Sequence, residues 1–359
     1  MEESESVRAA RRSTYATVGT RLSLLSDRRL RDAVAAAPSR GSGIGGRAAE
    51  LDVEGVRVFV KRVPLTDLEL RPEHLRSTAN LFDLPLSYQY GIGSAGFGAW
   101  RELAAHLLTT GWVLTGAHTG FPLLYHWRVL PDDPPQGFAD AFGGIDGAVA
   151  HWEGAPAVRR RLEAIGRAPA SLVLFLEHVP QSLAAWLADA RTATDPASEP
   201  GAHFSWAAEE VAQGADFLSS RGLVHFDAHF ANLLTDGRQV YFADFGLALS
   251  RDFALSPQEA DFLTDHLVYD RCYVLWHLLR HHALPDLCEG STPEAFLRAW
   301  TTGHRPDVPA RIAALLDRHA RSALLLDDFH HRLLTRSKQT PFPAADLRNA
   351  LSDEPGTSA

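Results

Sequence analysis

Between Gly222 and Ser250 the chain reads GLVHFDAHFANLLTDGRQVYFADFGLALS, and Asp227, Asn232 and Asp244 fall within eighteen positions of it. Two carboxylates and one amide oxygen are hard ligands suited to Mg2+, and one carboxylate can serve as a base toward a hydroxyl proton. A second signal lies far upstream. Of 35 basic residues only Lys61 and Lys338 are lysines, which leaves 35 − 2 = 33 arginines. Lys61 is embedded in the apolar run VRVFVKRV. A chain that places arginine almost everywhere has kept a compact ammonium on a flexible stem at this point, where a planar guanidinium was the compositional default.

These side chains need elements to carry them. Residues 204–221 pattern as a helix stopped by Gly222, and short strands are expected near 233–234 and 240–243. Asp227 and Asn232 then flank a tight loop after the helix, and Asp244 ends the second strand, with Gly246 expected to let the chain turn. A helix, loop and hairpin of this kind would bring the three side chains to one edge. Lys61 lies in the second of two β-like runs, 48–53 and 56–63, whose Glu54-Gly55 link is a hairpin signal. A glycine cluster, Gly41 to Gly46, precedes them. A second, YGIGSAGFGAW at 90–100, leads into a helix over 101–108 that carries Glu102, with Leu103, Ala104, Leu107 and Leu108 on one face.

Elsewhere, 121–130 reads as a strand and 171–179 as a buried strand, from its uninterrupted apolar run. Residues 131–170 are rich in Pro, Gly and Asp and read as an insertion or long loop with one short helix near 157–165. Residues 181–190 are expected to be helical and 191–202 a linker. Three or more helices are expected in 257–334. The ends, 1–17 and 336–359, read as a flexible lead and a tail. The plan is α+β: a β-rich part over 18–179 and a helical part over 180–335.

Composition narrows the function classes. A chain of 359 residues suits two lobes sharing a cleft, and 45% apolar with 22% charged residues is ordinary globular usage. The net charge of −9 disfavours a nucleic-acid binder. No apolar stretch approaches a membrane span, the start MEESESVRAARR is unlike a secretory signal, and two cysteines without paired spacing suit a reducing cytoplasm. His281, His282 and Cys288 match no ordinary zinc spacing.

His225-Phe226-Asp227 with Asn232, followed by Asp244-Phe245-Gly246, resembles the catalytic loop and metal-binding motif of the protein-kinase-like superfamily. The remaining parts follow in the family's order over roughly residues 20–335. Gly41, Gly43 and Gly46 resemble the glycine-rich phosphate loop, Lys61 the third-strand lysine and Glu102 the glutamate of the following helix. Residues 174–179 (LFLEHV) resemble the hinge strand, with Leu176 as gatekeeper and Glu177 and Val179 among the nucleotide-binding residues. The resemblance implies a bilobal fold, ATP and Mg2+ as cofactors, Asp227 as base, Asn232 and Asp244 as metal ligands, and Lys61, oriented by Glu102, on the phosphates.

Gly91 to Gly96 also fits GxGxxG, but a dinucleotide site wants a buried strand before it, and LPLSYQY is a poor one. Glu69 and Glu73 lie nearer Lys61 in sequence than Glu102 does, in a segment with worse helical patterning. The resemblance leaves the acceptor open. The DFGLA run and Asp270, at the start of DRCYVLWHLL, match protein kinases. His229, the 131–170 insertion and the lack of an Ala-Pro-Glu element match aminoglycoside- and choline-kinase-like enzymes. An ATP-binding pseudokinase scaffold is the alternative of another class, against which stands the presence of the base, the lysine and the DFG aspartate. Phe226 occupies the place where many protein kinases carry an arginine that pairs with an activating phosphate. Among Ser250, Ser256, Thr264 and Tyr269 no hydroxyl faces an arginine in the catalytic loop, which implies an enzyme competent as synthesised.

Overall fold

A computed structural model describes residues 2–43, 46–192, 199–288 and 290–353. The chain is mixed α+β, with a small antiparallel sheet and a larger helical part. It divides into two compact units. The first is Met1–Val179 with Asp244–Ser256, and the second is Pro180–Ala243 with Pro257–Ala359. Among the described residues no helix is long and apolar enough to cross a membrane.

The first unit opens with α1 (Glu2–Ser23) and α2 (Asp27–Ala36). Residues 1–17 were expected to be a flexible lead, yet from Glu2 they are helical, because α1 is fastened to the sheet. Val18 and Leu22, one turn apart, are buried, and Tyr15 packs on Tyr125. Arg11 lays its guanidinium on the Glu177 carboxylate, donating from Nε to Oε1 at 3.0 Å and from Nη2 to Oε2 at 2.6 Å, and also donates to the carbonyls of Thr119 and Phe121.

The sheet follows. Strands β1 (Ser39–Gly43), β2 (Gly46–Val53) and β3 (Val56–Leu65) form a meander. The β2–β3 turn is Glu54-Gly55, both with positive φ (55° and 80°), as the sequence implied. Next come α3 (Ala99–Thr115), β4 (Leu124–Pro131), α4 (Ile145–His151), α5 (Pro156–Ile165) and β5 (Ala170–Glu177). The strand order is β1-β2-β3-β5-β4, antiparallel throughout. β5 lies between β3 and β4 and is buried from Ala170 to Leu176, which explains its unbroken apolar run.

Residues 131–170 contain more regular structure than their Pro and Gly content suggested. Those residues punctuate rather than dissolve it: Gly144 caps α4 and Pro156 opens α5. Val149, Trp152, Val158 and Leu162 then form a core with Phe82, Leu84, Tyr88 and Phe97.

In the second unit β6 (Gln181–Ser182) leads into α6 (Leu183–Thr192) and α7 (Ala202–Ser220). After Gly222 (φ 69°) come β7 (Leu223–Val224), β8 (Leu233–Thr235) and β9 (Val240–Phe242), the last two joined as a hairpin with β6 on its flank. Helices α8 (Pro257–His266), α9 (Tyr269–Leu278), α10 (Pro293–Thr301) and α11 (Ala310–Thr335) complete the core, α9 packing on both α7 and α11. The expected tail holds one more helix, α12 (Ala344–Ser352), because buried Leu347 docks it on α11.

Replacing Arg11 by alanine strands the largely buried Glu177 carboxylate. We expect the first unit to lose about 2–4 kcal/mol in denaturant unfolding. Arg11→Met combined with Glu177→Met should recover part of that loss.

Candidate functional site

Strand alternation places the candidate residues of the first unit. Phe59, Lys61, Val63 and Leu65 share one face of β3, and three of them pack in the core beneath α3. Lys61, 8% exposed, is the polar member of that row. Its ammonium lies 2.7 Å from Glu102 Oε1 and donates to Asp244 Oδ1 at 2.6 Å. Burial works against the charged lysine, but Asp244 and Glu102 outweigh it and hold the proton more firmly than in water. Burial also raises the Glu102 carboxyl, with Lys61 pulling down and Asp244 adding to the rise.

Glu102 reaches Lys61 because the inward face of α3 is not the expected one. Of Leu103, Ala104, Leu107 and Leu108, only Leu103 is buried, and Leu107 is exposed. Glu102, His106, Thr109 and Thr110 are buried instead. Both threonines are hydrogen-bonded there, Thr109 Oγ1 donating to the His106 carbonyl at 3.2 Å and Thr110 Oγ1 accepting the Leu124 N–H, while the His106 ring packs edge-on against Phe245.

Asp244 itself makes the turn expected of Gly246. Its φ is 61°, whereas Gly246 is not left-handed. A non-glycine residue in this conformation stores about 1–3 kcal/mol of strain. The second glycine cluster holds the segment that follows. Gly96 (φ 72°) passes so close to Gly246 that a Cβ would sit 2.5 Å from the Gly246 carbonyl oxygen. Gln89 donates to the Leu247 carbonyl, Ala254 N–H to Thr78 Oγ1, and Arg101 lies over the Phe253 ring. Within the cluster Gly96 is thus a close-packing point against 244–256, and Gln89, Thr78 and Arg101 add contacts from outside it.

In the second unit the candidate residues lie on the 225–232 loop. Phe226 is buried at φ 64°, stacked on Phe262. Asp270, buried at the start of α9, holds this bend by accepting the N–H of His225 at 2.6 Å and of Phe226 at 3.0 Å. His225 accepts the Asp227 N–H at Nδ1, so Nε2 carries the proton that it donates to the Ala243 carbonyl at 2.9 Å. Asn232 Nδ2 donates to the Asp227 carboxylate at 3.1 Å and to its carbonyl at 3.0 Å. The Asn232 carbonyl accepts the N–H of Ala243, the residue before Asp244. His229 Nε2 is 3.8 Å from Asp227 Oδ1.

The remaining expected residues divide. Gly41 and Gly43 lie on β1 and Gly46 begins β2, with Gly43 and Gly46 in register; Ile44 and Gly45 between them are outside the described residues. Glu177 ends β5, its carboxylate taken by Arg11 and the Leu123 N–H, and Val179 lies two residues beyond. Glu69 is not a partner of Lys61: it is buried against Arg161. Among the described residues no cluster of three or more His, Cys, Asp or Glu side chains is arranged to hold a metal ion. Arg11 and Gln89 carried no sequence signal. Glu69 carried one, the reciprocal Thr-x-x-Glu pattern of Thr66 and Glu69.

No protein-family model matches the chain, and no curated protein matches it significantly.

Burial pushes the Asp270 carboxyl up to about 7 from 3.8, against the pull of its two N–H donors. A carboxyl raised on folding contributes stability that is complete below pH 4 and lost as pH rises through 7. The stability difference between wild type and Asp270→Asn should therefore move in favour of asparagine between pH 5 and pH 8, as read from urea midpoints.

Proposed function

We propose that the chain is an ATP- and Mg2+-dependent phosphotransferase of the protein-kinase-like superfamily, bilobal, moving the γ-phosphate of ATP to an acceptor hydroxyl of a protein or a small molecule. The observation that carries this reading is the buried Lys61 ammonium held between Glu102 and Asp244. A fixed, permanently charged lysine is what two phosphates need for orientation, and the reaction asks the protein chiefly for positioning and electrostatics.

The roles follow the chemistry of each group. Lys61 contacts the α- and β-phosphates and Glu102 orients it. The backbone N–H groups around Gly41, Gly43 and Gly46 cover the phosphates. Residues 177–179 meet the base, at Glu177 not through its engaged side chain. As the acceptor oxygen bonds to Pγ, the bond from Pγ to the β,γ-bridging oxygen breaks, ADP leaves, and Asp227 takes the hydroxyl proton. Asn232 turns its NH2 toward Asp227, which leaves Oδ1 as a hard donor, and Asp244 supplies carboxylate oxygen. Both donors fit Mg2+, which when bound neutralises charge on the transferring group.

The test is γ-phosphate transfer from Mg-ATP to basic peptides, aminoglycosides, amino alcohols and sugars. Transfer to one class is expected, reduced about 10²–10⁴-fold by Asp227→Ala and abolished by Lys61→Arg, whose guanidinium is too wide for the slot. Tight ATP binding with neither transfer nor ATP turnover would make the chain a nucleotide-binding scaffold.

The same reading bears on activation. Ser250 is 1% exposed and Tyr269 fully buried, so both are closed to a modifying enzyme. Phosphatase treatment should leave turnover within about tenfold of the untreated protein, equivalent to about 1.4 kcal/mol.

A further inference from the structure

Helix α3 begins at a glycine, Gly98, which offers no capping side chain. The missing acceptor comes from 30 residues upstream: the Ala99 N–H donates to Glu69 Oε1 at 2.8 Å. Glu69 Oε2 accepts from Thr66 N–H at 3.1 Å, Thr66 Oγ1 at 2.6 Å and Arg161 Nη1 at 2.9 Å, while the indole of Trp100 donates to the Glu69 carbonyl at 3.0 Å. Glu69 is 1% and Arg161 2% exposed. Arg161, on α5, also donates to the Gly96 carbonyl at 3.3 Å and lies over the Phe82 ring. Gly98 (φ 153°) lets the carboxylate in, since a Cβ there would sit 2.8 Å from Glu69 Oε1.

We propose that Glu69 and Arg161 are positioning residues: the buried pair fixes the start and rotation of α3, and thereby the place where Glu102 meets Lys61. Glu102 is the fourth residue of α3. A one-residue slip in the helix start would turn it by about 100°, away from Lys61. The carboxylate suits the N-terminal end of the helix dipole, and a buried carboxylate needs a paired cation to offset its lost hydration. Arg161 supplies the compensating charge, and the 131–170 segment supplies Arg161. This gives that segment a task in the site, one that uses no ligand and no modification.

The inference rests on the proposed function only for its catalytic meaning, and the test separates the two. The chain's only two lysines allow each ε-amine to be followed individually. Full-length wild type, Glu69→Ala, Glu69→Gln and Arg161→Met are acylated with acetic anhydride at fixed pH, and the rates at Lys61 and Lys338 are read by peptide mass spectrometry. Hydrogen exchange in α3, β3 and β5 is measured in parallel. In Glu69→Ala and Arg161→Met, Lys61 should acylate at least tenfold faster and α3 should exchange faster, with β3, β5 and Lys338 unchanged. Glu69→Gln, which keeps an acceptor for Ala99, should fall between. An unchanged Lys61 rate in all three variants overturns the proposal, as does a loss of protection in β3 and β5 that parallels the Lys61 rate. Mg-ATP affinity of the same variants forms the second arm. Faster Lys61 acylation in variants of a protein that binds no ATP would leave the positioning role standing and remove the phosphotransferase.

Discussion

A lysine ammonium buried in the middle of a sheet keeps its charge only if anionic oxygens surround it, and much of the first unit is arranged to bring them to Lys61. One is Glu102 on α3, 41 residues downstream of Lys61, and the other is Asp244 at the start of 244–256, 183 residues downstream. Neither carboxylate is local, so the site forms only when the sheet, α3 and the 244–256 segment have all docked. The left-handed turn at Asp244 is the clearest sign of strain accepted for that purpose.

The second unit answers a different constraint with similar means. In its loop Asp227 is half-buried and Phe226 fully buried, and the chain bends between them with Phe226 in the left-handed conformation. Asp270 holds the bend from below by taking two consecutive N–H groups. His225 and Asn232 then tie both ends of the loop to Ala243. A buried carboxylate that serves two main-chain donors thus recurs in both units, at Asp270 beneath the loop and at Glu69 beneath α3.

Periodicity and turn chemistry made the elements legible. The Glu54-Gly55 hairpin, the apolar strand before residue 179, and the helix stopped at Gly222 were all written in local residue types. Lys61 was legible through composition, since a lysine in an arginine-rich chain stood out. What could not be read were partners decided by distant packing. The buried face of α3 was misjudged because hydrophobicity alone ranks Leu107 above Glu102, while pairing reverses the order. The N-terminal helix is illegible for a similar reason: its sequence is mostly polar, and beside Tyr15, Val18 and Leu22 it is held by Arg11, whose partner Glu177 lies 166 residues away. Glycines misled in both directions, with Gly246 credited for a turn that Asp244 makes and Gly96 unrecognised as a contact point.

The division of the chain has a consequence for how the protein is made. The first unit takes its last segment, Asp244–Ser256, from beyond the start of the second. As the chain leaves the ribosome, residues 1–179 emerge with the sheet and α3 complete in sequence but with Lys61 still lacking Asp244. Domains usually fold in the order of their synthesis, yet here the earlier unit waits for residue 256. Until those residues are made, the unit lacks the Asp244 carboxylate with which Lys61 pairs in the finished fold.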